Sequence, residues 1–460
     1  MEFIVSQRWC LIEDMSEPDG RVRSEATSLL RDLIRIDTSN PPGRETPAAK
    51  LLLDYLEAAG VSCELVARDP ERANLIARIP GTGEGPSLAF MGHTDVVPAD
   101  AADWEHPPFS GHLDGDGFVW GRGAVDMKNQ TATRAVAVAE LARSGFRPRG
   151  DLVFIAQADE ESGTEDAGLK WLRGQRPDIG CDYSIDEGGG ERLELTDGRV
   201  VVPINTGEKA TLPVLITALG EAGHASIPQS GDNAVPRLAV LIDRLARHRT
   251  QRILRPETHR LLEVLIGPHE GGLDAAIEQA AGLHPSFADD LPPLFGSTIA
   301  PTRLFGSAAR NVMPGRAAVE CDCRVLPETT PEDLERELRS ALGHDISYEL
   351  EFLEPPTGGT VAPVDTPLFD VCQDFLHDND PGAALLPVIS TGFCDSHFMR
   401  EAFDTVAYGF WPLRRTPIDI YHDGFHNRNE RIHADDLAYA VDFHLYAARR
   451  ILGDRDPAGL

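Results

Sequence analysis

The chain has 460 residues, enough for two domains of ordinary size, each with its own core. Its 42% hydrophobic and 25% charged content is that of a globular protein, and no apolar run approaches the roughly 20 residues that span a bilayer. A formal net charge of -31, from 74 acids against 43 bases, argues against nucleic acid, a membrane surface or a phosphodiester as partner or substrate, because each is met with basic patches.

In chain order, "MEFIVSQRWCLIEDMSEPDG" lacks the basic start and sustained apolar stretch of a secretory signal, and residues before about Met15 read as an extension. Leu29, Leu30, Leu33 and Ile34 recur at helical spacing from Ser24 onward, until "SNPPG" breaks the pattern. "SLAFMGHTD" (Ser87 to Asp95), "DLVFIAQADEE" (Asp151 to Glu161) and "CDYSIDEGGG" (Cys181 to Gly190) then read as strands with continuous apolar residues. Such runs mark burial on both faces of a largely parallel sheet, with a helix from about Asn129 to Arg143 as a crossover. "DGDG" at Asp114 to Gly117 lacks the later acid of a calcium loop and reads as a hairpin turn.

Each of the three strands ends in acids or histidine: His93 and Asp95, Glu160 and Glu161, Asp186 and Glu187. An acid run at a strand end is ordinarily a solvated surface. Three such ends delivered to one sheet edge, where α/β ligands sit, repel one another unless a cation lies between them. That arrangement points to metal.

The texture changes near Ala210. Alternating strands at "TLPVLITALG" and "RAAVECDCRVLP" are each followed by an amphipathic helix, the second capped by Thr330 with Pro331 and Asp333 and stopped by Gly343. These predict a small α+β insert from about Thr206 to Glu354, leaving a catalytic unit over 1–205 and 355–460, with the insert over 206–354. The stretch from about Arg249 to Leu304 has no place in that unit. A helix from about Asp435 to Leu452 closes the chain. The seven cysteines (Cys10, Cys63, Cys181, Cys321, Cys323, Cys372, Cys394) form neither a disulfide framework nor a paired zinc site, which predicts a reducing, cytoplasmic setting. Cys321 and Cys323 share one strand face and are expected to be small core residues.

Two zinc ions held about 3.5–4 Å apart need a bridging carboxylate, a histidine and a carboxylate for each ion, and room for water. The sequence offers those parts in a recognisable order. "FMGHTDVVPAD", "WEHPPFSGHLDGDGFVWGRGAVDMKNQ", "ADEESG", "IDEGGG" and "GFHNRNERI" together resemble the co-catalytic zinc family of aminoacylases, acetylornithine deacetylases, succinyl-diaminopimelate desuccinylases and glutamate carboxypeptidases. The resemblance runs from about Ser24 to the end.

It implies an α/β zinc-hydrolase domain, mostly parallel in its sheet, with an inserted ferredoxin-like lid that also dimerises. Two Zn2+ per subunit are implied, with Co2+ or Mn2+ as substitutes. Residue by residue, it makes His93 a ligand, Asp126 the bridge, Asp95 the group that orients His93, Glu160 the general base and Glu161 a ligand. The next ligand is Glu187 or Asp186, with Glu187 favoured, and the last is His426, beside a structural Asn429 and Glu430. In the insert, "GEAGHASIPQSGDNA" resembles the lid motif and assigns His224 to it. "RNVMPGRAAVECDCR" resembles the segment that meets the substrate carboxylate and places Asn311 and Arg324 there.

"STGFCDSHF" and "DMKNQ" depart from the family pattern at Phe393, Cys394 and Asn129, which bears on the substrate pocket rather than the metals. His106, His112, His397, His422 and His433 read as surface or supporting residues, and Asp159 has no separate role that its sequence context supplies. The expected function is hydrolysis of an amide next to a free carboxylate, in an N-acyl amino acid or a small peptide, by a homodimer. A dipeptidase or carboxypeptidase, a catalytically silent binding protein and a two-metal phosphoesterase are the rivals.

Overall fold

The computed structural model describes residues 20–162, 167–268 and 271–453, so the N-terminal extension, Cys10 and Gly163 of the acidic motif lie outside the described residues. Its central sheet runs in the order Ser62–Ala67, Ala73–Ile79, Leu152–Gln157, Leu88–His93, Tyr183–Asp186, Val406–Gly409, Val200–Glu208, Ala383–Ser390, with Leu193–Glu194 also paired to Val200–Glu208. The middle matches the expectation. Leu88–His93 lies parallel between Leu152–Gln157 and Tyr183–Asp186, and the register sets His93 beside Gln157. Three carboxyl ends therefore meet at one edge.

The sheet as a whole is mixed, which corrects the expectation of a mostly parallel one. Ser62–Ala67 and Ala73–Ile79 pair antiparallel, as do Ala73–Ile79 with Leu152–Gln157 and Val406–Gly409 with Val200–Glu208. The link 68–72 is too short for a crossover, so the two strands it joins form a hairpin.

Helices Gly20–Ile34, Lys128–Arg143 and Ala434–Leu452 cover one face with a continuous apolar core. Arg134, fully buried, donates to the carbonyls of Met91 and Asp186 and so ties two of the central strand ends together. Asp114 to Gly117 is the turn between His112–Leu113 and Phe118–Trp120, the hairpin read from sequence.

A second, all-antiparallel sheet orders Tyr348–Phe352, Val214–Leu219, Arg316–Val325, Ala210–Thr211 and Thr357–Gly358, and Thr298–Phe305 adds to Arg316–Val325. Helices Ala234–Arg247 and Pro331–Leu342 pack on it around a core that includes Cys321 and Cys323. Thr330 and Asp333 cap Pro331–Leu342 reciprocally, as the sequence predicts.

Apart from the start of Thr298–Phe305, the unplaced stretch forms a third body. Helices Pro256–Ile266, Leu273–Ala281 and Phe287–Asp290, and the turn Pro292–Phe295, bury their apolar faces against Leu193, Val201, Leu386 and Ile389 of the central sheet. It packs as a wall on the central sheet and stands apart from the core of the second sheet.

Candidate active site

His93 ends its strand with Nδ1–H donating to the Asp95 carbonyl at 2.9 Å, which leaves Nε2 free to ligate. That nitrogen lies 3.3 Å from Asp126 Oδ1, 3.7 Å from Glu187 Oε2 and 4.0 Å from Glu160 Oε2. On the other side, His426 Nε2 stands 3.2 Å from Asp126 Oδ2 and 3.1 Å from Glu161 Oε2. Asp126 thus gives one oxygen to each half of the cluster. Of the two residues left open by sequence, Glu187 faces His93, whereas Asp186 accepts from Ser396 Oγ at 3.0 Å and is almost wholly enclosed.

The supporting contacts explain the acid-rich motifs. Asp95 accepts from the backbone N–H of Glu160 at 3.2 Å and of Glu161 at 3.1 Å, so it holds the glutamate turn as well as His93. Asp159 has a positive φ of 62° and is buried at the start of that turn. Its carboxylate accepts from Arg72 at 3.0 Å, Asn40 at 3.1 Å and the Ala167 N–H at 3.2 Å, and Arg72 is itself paired to Glu45 at 2.6 Å. Asn40 also donates to Asp95 at 2.9 Å, which joins the two anchors.

Glu430 pins the loop that carries Asp126. It accepts from Arg122 at 2.8 Å and from the N–H groups of Gly123 at 3.0 Å, Val125 at 2.6 Å and Asp126 at 2.9 Å. Both it and Asn429, which accepts from the Glu105 N–H at 2.9 Å, are structural, as the sequence predicts.

Electrostatically the cluster demands positive charge. Burial pushes the Glu187 carboxyl up to about 7, and burial with Glu187 close by pushes Glu160 well above the carboxylate range. Burial opposes a charge on His93, yet hydrogen bonds to Asp126, Asp95 and Glu187 outweigh it and raise that imidazole. Hydrogen bonds to Asp126 and then Glu161 raise His426 to about 10.

Carboxylates this close and this buried favour any positive charge placed among them, which is what a divalent ion supplies. Glu161 Oε1 is buried with no hydrogen-bond partner, which suits an oxygen turned toward a metal ion. Imidazole and carboxylate oxygen suit zinc, cobalt or manganese, so the donor set fits a metal pair.

The cluster opens into a cavity of about 880 Å3. Arg324 lines it, with its guanidinium held by Asp322 at 2.7 and 3.1 Å. Asn311 and His224 do not line the cavity of their own chain. They sit together on a ribbon in which Gly223–His224 pairs with Val312–Met313, and the Ala225 N–H donates to the Asn311 carbonyl at 3.0 Å. Phe393 and Cys394, flagged as departures, do line the cavity. So do Phe287, Leu291 and Leu294, which sequence reasoning missed because their stretch had no assigned place.

A model of Peptidase family M20/M25/M40 matches residues 89–450. The chain belongs to this family. It is 28% identical over 430 residues to a succinyl-diaminopimelate desuccinylase of Paracoccus denitrificans, covering 90% of this chain and 94% of that one. It is 26% identical over 449 residues to aminoacylase-1 of Mus musculus, covering 94% and 96%. Among solved structures, an M20 family metallo-carboxypeptidase from Sulfolobus solfataricus superposes with a TM-score of 0.68 at 18% identity, over 93% of this chain and 99% of that one. At that identity the likeness speaks for the M20 fold alone. The family makes the chain an enzyme of the peptidase and amidohydrolase type, and its His, Asp and Glu cluster occupies the sheet edge where the fold puts its ligands.

Proposed function

We propose that this M20 enzyme uses two zinc ions to hydrolyse an amide next to a free carboxylate, in an N-acyl amino acid or a small peptide. The observation that carries the reading is Asp126, whose two oxygens face separate His-carboxylate halves, with Glu160 alongside and Arg324 in the same cavity. His93, Glu187, His426 and Glu161 would hold the ions, with Asp126 shared between them. Their chemistry there would be to polarise the scissile carbonyl and acidify water.

The residues do the rest. Glu160, beside His93 at 4.0 Å, takes a proton from the attacking water and passes it to the amide nitrogen as the C–N bond breaks, leaving a carboxylate and an amine. Arg324 can exchange Asp322 for the substrate carboxylate, which its planar fork matches in two hydrogen bonds. A dipeptidase is the second reading, favoured by Glu191, Asp289 and Asp290 on the cavity wall, which suit a substrate ammonium.

Zinc-loaded protein is expected to cleave N-acyl amino acids or dipeptides and to leave a phosphodiester intact. Phosphodiester cleavage without amide cleavage would overturn the reading.

The same reading includes a homodimer. Thr298–Phe305 is an edge strand with Leu304 70% and Phe305 44% exposed, an unpaired rim suited to a second copy. Its twofold partner is the natural owner of the cavity that His224 and Asn311 serve, since neither lines its own. A donor from His224 would stabilise the tetrahedral oxyanion by about 3–4 kcal/mol.

His224→Ala and Glu160→Ala subunits, each inactive alone, are therefore expected to regain activity when mixed, because one site then has Glu160 and a partner's lid histidine. No recovery after confirmed subunit exchange sinks the shared site. A cytoplasmic location belongs to this reading as well: the described cysteines are all unpaired, and no described helix is long and apolar enough to cross a membrane.

A further inference from the structure

The wall formed by the third body gives the cavity a chemical bias. Phe287, Leu291 and Leu294 line it together with Leu386 and Ile389 of the central sheet, and all five, largely buried, belong to one packed apolar cluster. Arg324 stands at the end of this wall. Thr298, just beyond the turn Pro292–Phe295, pairs with Arg324 in the lid sheet. Lys209 Nζ fixes that turn by donating to the carbonyls of Pro293 at 3.0 Å and Gly296 at 2.8 Å.

A guanidinium contiguous with an apolar surface matches a carboxylate and an apolar side chain on one Cα. The other basic groups on the lining are already engaged: His426 in the metal cluster, and His422 beside Glu191 at 3.6 Å. The remaining charges, Glu191, Asp289 and Asp290, are acids. Among the described residues of this chain's lining a second carboxylate on the substrate finds no free cation, and it loses its hydration.

We infer that the site selects a substrate whose carboxylate-bearing residue has a large apolar side chain, seated on Phe287, Leu291, Leu294, Leu386 and Ile389, and rejects substrates with an additional carboxylate. This rests on the reading of the site as an amide hydrolase with Arg324 at the substrate carboxylate.

The test compares kcat/KM of the zinc-loaded enzyme on N-acetyl derivatives of leucine, phenylalanine, alanine and aspartate and on N-succinyl-diaminopimelate. The leucine and phenylalanine derivatives are expected to exceed alanine by about tenfold or more, with the aspartate and succinyl compounds lowest. Parity, or preference for an acidic compound, overturns the inference.

If no compound is cleaved, the hydrolase reading is what fails, and calorimetric titration with free leucine and free aspartate judges the pocket separately. Tighter leucine binding supports it. Equal affinity, or no binding of either, overturns it. Leu294→Ala is expected to shrink the leucine-to-alanine ratio and Leu294→Met to restore it, with circular dichroism confirming the fold of each. An unchanged ratio in folded Leu294→Ala also overturns the inference.

Discussion

Exchanging Glu160 for glutamine is expected to lower turnover by roughly two to four orders of magnitude, the usual worth of a general base, while the metal content stays near normal. The change keeps the side chain's size and removes only its ability to take a proton. The turn itself persists, since Asp95 and Asp159 hold it through backbone and neighbouring groups that the substitution does not touch. Glu161→Gln is instead expected to weaken the binding of one ion, because Glu161 Oε2 faces His426. The pair is a real discrimination, as Glu160, His93 and Glu187 are close enough to form a ligand group of their own. Metal loss with retained rate in Glu160→Gln would mean that the two glutamates have exchanged roles.

Removing the shared carboxylate has the second large effect. Asp126→Ala is expected to lose both ions together and with them all measurable activity, because each carboxylate oxygen serves a different histidine and neither half keeps more than a histidine and a glutamate as ligands. The surrounding loop should survive, since Glu430 anchors it through Arg122 and backbone N–H groups that the substitution leaves in place. Metal analysis of the folded variant reads the result directly. Retention of one tightly held ion would show that Asp126 belongs to a single site.

How far the sequence exposes this architecture depends on how local the physics is. Leu88–His93 and Leu152–Gln157 are legible because strands buried on both faces are almost continuously apolar, so acids just beyond their ends stand out, and Tyr183–Asp186 shows the same burial with less apolar sequence. Ser62–Ala67 is half-exposed and carries no such signal, and the antiparallel edges it begins are the part of the sheet that differs from expectation. The wall around Phe287 and Leu294 is amphipathic helix whose partners, Leu386 and Ile389, lie far along the chain, so only the folded structure pairs them.

Asp159 is the same case at the scale of one residue. Its partners Arg72 and Asn40 come from the neighbouring hairpin loop and from a turn before it, and nothing adjacent to Asp159 announces them. The proposed ligands, by contrast, follow from motif order, and the choice between Asp186 and Glu187 needed side-chain direction, which strand alternation decides only once the strand's end is known.

The account stands or falls on a pair of ions divided by Asp126. Its most direct test is the metal content of the full chain after zinc reconstitution and removal of excess ion, measured by plasma emission spectroscopy against protein concentration. About two zinc per chain is the predicted result, as a co-catalytic site requires. A content near zero, with the fold intact, would contradict it.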